Sequence, residues 1–567
     1  MRLSGFRTLR GGEGVLLAAL LLFVGLLFLF PLGLLARVAF GDGLGAVRDA
    51  LGSASVPRAL WHSVESAALS ALLSLVAGTA AALVLGLTDV RRKGGFAFLL
   101  LIPMMIPPHV TAIAWIQALG PSSALLQALG IAPPLGSTHP LYSRAGVIAL
   151  LGLQNAPLVF LVLLAALRSL PREMSDAARV AGAGPGRMLM RVILPLLAPS
   201  LVAAYALAVV SALGNFGIPA LLGIPARYIT LPVLIWQRLA SFGPSVLTDM
   251  AVIAALVAIV SVLAVLVQMW LAARRRNALI GPPQPPLDIR LGRARPWVEA
   301  GLALVIVAVM VLPVTSLFAT ALVPTYGVRL DAETVTFRNF AEILFRQEVT
   351  ARAFLNSTLI AAAAAALLAV MAALLARSLA APGRLQRRLG TAMVAVAEMT
   401  YAIPGLVISV AFILAFLRPL PLLGASIYNT LWIILLAYLC AFFSIALKPV
   451  SAAFLQLDPA LDEAARVAGA GMVRRLIRVT FPLIAPAAAS GAILVFLTAY
   501  NEVTVSALLW SSGTETIGTT IFNYEDGGYT TLASAMAAVT VLATVALMAL
   551  LDWLGRKAPP GVVPWRF

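Results

Sequence analysis

Few residues of this 567-residue chain are equipped for chemistry, and their placement narrows what they can do. Its three histidines, His62, His109 and His139, are scattered, and none has a partner at metal-ligand spacing, so no metal site is predicted. The one cysteine, Cys440, sits inside an apolar run and reads as a small core residue with no disulfide to make. Lys93, Lys448 and Lys557 follow Arg92, Leu447 and Arg556, which leaves no Gly-Lys-Ser/Thr loop to cradle a phosphate. No nucleophile stands beside a base, so the chain is not expected to be an enzyme, and ATP hydrolysis belongs to another subunit if it is used. What remains is a set of polar groups in apolar surroundings: Glu398, Asn215, Asn501 and Glu502, with Phe216 beside Asn215. A carboxylate facing lipid costs a few kcal/mol, so these side chains are expected to face a passage or another helix. Glu65 and Asp249 fall close to predicted helix ends.

The most patterned stretch occurs twice. Asp176-Ala177-Ala178-Arg179-Val180-Ala181-Gly182-Ala183-Gly184 leads to Val192-Ile193-Leu194-Pro195, and Glu463-Ala464-Ala465-Arg466-Val467-Ala468-Gly469-Ala470-Gly471 leads to Val479-Thr480-Phe481-Pro482. The offset is 287 at the acid, the glycine and the proline, which marks an internal duplication. Each copy is a polar island between apolar runs and predicts a short helix, a glycine stop and a second helix. The acid is expected early in the first helix, where a carboxylate suits the positive end. Gly182 and Gly469 are expected in the left-handed region that ends many helices. Ala177, Ala178, Ala464 and Ala465 leave a face with little bulk that a partner can approach closely.

Acid-Ala-Ala, a glycine, then hydrophobic-x-hydrophobic-Pro resembles the EAA loop of ABC importer permeases. The second copy matches at Glu463, Ala464, Ala465, Gly469 and Pro482; the first has Asp176 in place of Glu, and the second has Phe481 where Leu is usual. The resemblance implies a coupling helix that docks on an ATPase subunit, with Asp176, Ala177, Ala178, Gly182, Glu463, Ala464, Ala465 and Gly469 as the docking residues. It also implies a type I ABC importer-like fold and two copies of an ABC ATPase on the cytoplasmic side, which bind the ATP and Mg. A periplasmic or lipid-anchored solute-binding protein is expected on the other side, and no cofactor in this chain. Two loops in one polypeptide, and the stretch Ala212 to Gly223, look like a fused iron(III) permease. Permeases for phosphonates, thiamine and polyamines share much of the pattern, and the substrate stays open among them.

Stepping from these residues to the elements that carry them, composition sets the class. The chain is 61% hydrophobic and 11% charged, with mean hydropathy +0.99, so its repeated apolar runs are membrane spans. Twelve are expected, near 15–35, 60–87, 96–119, 145–167, 196–222 and 247–273, then 298–323, 355–380, 390–417, 428–447, 483–510 and 531–554. The expected fold is an all-α integral membrane protein of two parallel six-helix repeats. Residues 1–276 form one half with its loop at about 170–192, 277–296 a Pro/Arg-rich cytoplasmic linker, and 297–567 the second half with its loop at about 457–479. The net charge of +17 does not signal nucleic acid, because 29 of the 40 Arg and Lys residues fall in alternate segments between runs. By the positive-inside rule those segments are cytoplasmic, both loops and both termini included, in a bacterial cytoplasmic (inner) membrane with lipid around the spans.

Smaller echoes support the duplication. His62-Ser63 matches Asn356-Ser357, Ile106-Pro107-Pro108 matches Ile403-Pro404-Gly405, and Ala220-Leu221-Leu222 matches Ala507-Leu508-Leu509. Interior Pro and Gly are tolerated where neighbours or a cavity satisfy the freed backbone, so the kinks are expected to shape a pathway between halves. A secondary transporter with parallel repeats is the alternative from a different class; it needs midmembrane coupling carboxylates and no docking loop.

Overall fold

The computed structural model describes residues 12–41, 43–134, 136–168, 172–239, 245–274, 289–379, 383–419 and 424–557, with positions 170, 241, 559, 562 and 563. Most of the expected linker, including Pro282 to Pro286, and the terminal Arg2, Arg7, Arg10 and Arg566 lie outside the described residues.

The main helices run in two series of nine. The first is α1 (Gly14–Phe40), α2 (Ser55–Leu87), α3 (Lys93–Met105), α4 (Pro108–Leu119), α5 (Arg144–Arg168), α6 (Arg172–Val180), α7 (Pro185–Leu213), α8 (Leu231–Leu239) and α9 (Val246–Arg274). The second repeats it: α10 (Gly292–Ala321), α11 (Glu348–Leu379), α12 (Arg384–Tyr401), α13 (Gly405–Phe416), α14 (Leu431–Leu455), α15 (Pro459–Val467), α16 (Met472–Tyr500), α17 (Ile517–Asp526) and α18 (Thr530–Leu554). Among the described residues ten helices are long and apolar enough to cross a membrane, and up to 12 spans result if each bent pair counts as one. The only bridge outside helices among the described residues joins Thr88 and Ile289.

Prolines shape the spans. Pro31, Pro195, Pro313 and Pro482 each follow a π-helical turn, at Gly25–Leu29, Leu189–Ile193, Val307–Val311 and Leu476–Thr480. Proline donates no hydrogen bond and its ring crowds the carbonyl four residues back, and a widened turn relieves both. The expected third and ninth spans are sharply bent at the prolines that mark their kinks. At Ile106-Pro107 and Ile403-Pro404 the helices turn by 101° and 111°, because the residue before a proline is driven to extended backbone. Ile106 indeed has φ −82 and ψ 128.

Small residues set the tightest contacts. Along α2, Ser63, Ser70, Ser74, Gly78 and Ala82 are buried at helical spacing. Gly78 lies so close to α5 that a β-carbon there would meet the Ala156 carbonyl at 2.7 Å, and the Ser74 hydroxyl donates to the Gly152 carbonyl at 2.7 Å. Such stripes let membrane helices approach where no hydrophobic force separates helix from lipid.

Each series lends its first span to the other. The α1 rings of Phe23 and Phe28 lie 5.7 Å from Phe443 of α14, and Phe30 lies 6.2 Å from Phe416 of α13. Reciprocally, Leu317 and Ala321 of α10 share a buried cluster with Val110, Ile113 and Ala114 of α4. A clasp secures the start of α10 to the loop between α2 and α3. Asp89 accepts from the Leu291 N–H at 2.9 Å and Glu299 from the Arg91 N–H at 2.8 Å, while Arg295 lies 3.7 Å from Asp89. The Leu291 hydrogen bond holds the Asp89 carboxyl below the usual carboxylate range.

Candidate functional site: the duplicated loops and the seam between the halves

The two loops fold alike. In α6 the Ala181 N–H donates to Ala177, then Gly182 to Arg179 and Ala183 to Ala178; in α15 the bonds run Ala468 to Ala464, Gly469 to Arg466 and Ala470 to Ala465. This is a Schellman stop with its glycine left-handed, at φ +78 for Gly182 and +76 for Gly469, as the spacing predicts. The acid sits later than expected. Asp176 and Glu463 are the fifth residues of their nine-residue helices. The positive end is served by Glu173 in one helix and, in the other, by Asp458, which accepts from the Ala460 N–H at 2.9 Å. Both helices simply begin further upstream.

Exposure repeats residue for residue. Asp176, Ala177 and Gly182 are exposed and Ala178 half-buried; Glu463, Ala464 and Gly469 are exposed and Ala465 half-buried. The motif overlooks the apolar stripe on the same face. Val180 is 90% exposed and Val467 89%, with Met174 and Leu461 also exposed. Their spacing, Met174-Ala177-Val180 and Leu461-Ala464-Val467, was available in the sequence as apolar positions three apart. Large exposed apolar side chains on two equivalent helices form a surface suited to a protein partner.

The polar residues expected within the fifth and eleventh spans lie elsewhere. Helix α7 stops at Leu213 and α16 at Tyr500, so Asn215, Phe216, Asn501 and Glu502 occupy the turns that follow. The turns lead to the helices α8 and α17, which at nine and ten residues are too short to read as spans. Asn215 and Glu502 do the same local work: Asn215 accepts from the Ile218 N–H at 3.1 Å, and Glu502 accepts from Val505 at 2.6 Å and Ser506 at 3.1 Å. Asn501 donates to the Thr544 hydroxyl at 3.0 Å. Glu398 is separate from this group, on the exposed side of α12 ahead of the bend.

These turns lie where the halves meet. A β-carbon on Gly214 would touch Pro404 at the bend of the second series, at 3.5 Å. The buried Phe216 ring lies 5.2 Å from Phe522 of α17, and Trp236 of α8 completes the group at 5.7 Å from Phe522. The His-Ser and Asn-Ser echoes have one purpose. His62 Nδ1 donates to the Ile229 carbonyl at 3.0 Å and Ser63 accepts from the Leu231 N–H at 2.7 Å, pinning α8 to α2. Asn356 donates to the Glu515 carbonyl and Ser357 accepts from the Ile517 N–H, each at 2.9 Å, pinning α17 to α11. Residues the sequence did not single out complete the frame. Gln154 donates to the carbonyls of Pro103 and Ile106 that the bend sets free, and Tyr228 donates to Glu65, which binds Arg144. No group of three or more metal-binding side chains occurs among the described residues.

The family described as "Binding-protein-dependent transport system inner membrane component" matches residues 74–277 and again 368–562. A probable ABC transporter permease protein of Sinorhizobium fredii is 27% identical over 492 residues, which is 85% of this chain and 83% of that protein. A ferric transport system permease of Actinobacillus pleuropneumoniae is 24% identical over 563 residues, 96% of this chain and 79% of its own length. A molybdenum transport system permease of Mycobacterium tuberculosis is 33% identical over 162 residues, 28% of this chain and 59% of its own.

Proposed function

The chain belongs to the family of binding-protein-dependent transport system inner membrane components, matched once in each half, and from that premise we propose that it supplies both membrane halves of an ATP-driven importer. In this reading residues 1–276 and 297–567 are the halves and 277–296 the cytoplasmic linker. Two copies of an ABC ATPase bind α6 and α15 from the cytoplasm, and a solute-binding protein delivers cargo to the opposite face. The observation that carries it is the duplicated stripe, Met174-Ala177-Val180 and Leu461-Ala464-Val467, exposed at equivalent positions of the two repeats. A secondary transporter has no use for two equivalent apolar landing sites.

Closure of the ATPases on ATP would draw α6 and α15 together and rock the halves about the seam, a rigid-body alternation. The turns at Asn215-Phe216 and Asn501-Glu502 then line the passage, and the Phe216–Trp236–Phe522 group closes it across the halves. N- and C-termini are cytoplasmic in the inner membrane.

For cargo we take iron(III). The support is layout: the ferric relatives align along 96% and 88% of this chain, whereas the molybdenum relatives align along 41% or less. Proteoliposomes holding the permease, its ATPase and its binding protein test this directly. ATP-dependent uptake of iron(III), in preference to molybdate, phosphonate, thiamine and polyamine, is expected. Uptake of another solute would replace the cargo, and failure of any ABC ATPase to co-purify would remove the importer reading itself.

A further inference from the structure

The two docking helices, alike on their exposed face, carry different residues on the other. In the first half Met188 of α7 is 1% exposed in a buried cluster, and Ala178 of α6 packs on it. At the positions 287 residues on, Ser175 and Met188 become Asp462 and Arg475. There the Asp462 carboxylate receives Arg475 of α16 at 2.6 Å and Arg377 of α11 at 3.5 Å. Both guanidinium side chains are largely buried, at 8% and 12% exposure. Beside the clamp lies a cavity of about 480 Å³, bounded by Leu16 and Leu20 of α1, Arg377, Asp462, Arg475 and Leu483.

From this geometry we infer that Asp462 is a positioning residue, through which movement of the second docking helix reaches α11 and α16. It rests on the proposed importer reading. Close-packed apolar contact transmits a push because interiors resist compression, but a helix beside a cavity has no such backing on that side. A charge-assisted, short and directional contact supplies it instead. The carboxylate links three helices: α15 that carries it, α16 that continues the docking loop, and α11, a long span pinned by Asn356 and Ser357 to α17 at the seam.

The test uses the full complex of permease, ATPase and binding protein in liposomes. Asp462→Asn keeps the shape and removes the charge, and Asp462→Glu keeps the charge. Three quantities are read: ATPase retained on the purified permease, transport rate, and the ratio of ATPase rates with and without loaded binding protein. Asp462→Asn is expected to retain the ATPase, lower transport about fivefold or more, and flatten the stimulation ratio. Asp462→Glu is expected to retain most of both. A structural defect alone would lower the amount of complex and leave the ratio unchanged, which overturns the inference. So would wild-type transport by Asp462→Asn, or Asp462→Glu no better than Asp462→Asn. Loss of ATPase from Asp462→Asn would make the residue part of the docking face and also overturn it. If wild-type permease retains no ATPase, the importer reading fails first, a distinguishable result.

Discussion

At the scale of residues, each duplicated loop turns on one glycine. Nothing lies within 4 Å of a β-carbon built on Gly182 or Gly469, so a substitution meets no clash and the whole cost is backbone strain. For a non-glycine residue in the left-handed region that is roughly 1–2 kcal/mol, more for β-branched side chains and less for Asn. Gly182→Val and Gly469→Val are expected to weaken ATPase retention while the permease still inserts, and Gly182→Asn to pass nearly unchanged. Pull-down of the ATPase on purified variants checks this, and equal retention by Val and Asn would show the turn to be unimportant. Glu502 is constrained differently, because its carboxylate holds the Val505 and Ser506 N–H groups. Glu502→Gln keeps one acceptor and is expected to lower transport with assembly intact. Glu502→Leu strands both donors, at roughly 1–3 kcal/mol each when buried, and should lower the melting point as well. Transport assays paired with thermal melts separate the two effects.

Between elements, the contact of α2 with α5 is the most exposed to a single change. Gly78 has the Ala156 carbonyl and the Val159 β-carbon 2.7 Å from where its own β-carbon would stand. Backbone cannot yield as a flexible side chain can, so the helices must part. Gly78→Leu is expected to cost about 1–3 kcal/mol or more through overpacking, seen as a lower melting midpoint of the detergent-solubilised permease. Gly25, in the π turn of α1, has nothing within 4 Å of its would-be β-carbon, and Gly25→Leu should be nearly silent. Equal shifts for the two would contradict the packing account.

Across the whole molecule, the exchanged spans α1 and α10 hold the halves together. Phe28 and Phe443 pack in one buried cluster formed by both halves, and the Asp89–Arg295 clasp adds a polar tie. Two polypeptides divided within 277–296 and expressed together are therefore expected to co-purify through detergent. Recovery of single halves would mean that the linker does the joining. Topology has its own check: a cysteine replacing exposed Glu333 should react with an impermeant reagent from outside, and one replacing exposed Arg187 should not.

The sequence by itself determined the class, the duplication, the duplicated loops and their glycines, because these rest on hydropathy, a fixed offset and local backbone preference. Ile106-Pro107 and Ile403-Pro404 were legible as breaks, though not that each turns the chain by more than 100°, since neighbours such as Gln154 decide how far a freed backbone can swing. Helices α8 and α17 were hidden, because Ile517–Asp526 reads as polar loop until Ser357 and Asn356 supply its partners from far along the chain. The true ends of α7 and α16 were hidden for the same reason: Asn215 and Glu502 look like polar residues within apolar runs, and only the turns they cap reveal them as stops. Above all, tertiary structure decided that α1 and α10 change sides, that Phe216 meets Phe522, and that Asp462 finds Arg377. Those contacts join residues from 85 to more than 300 positions apart, and no periodicity along a single chain encodes which distant faces will meet.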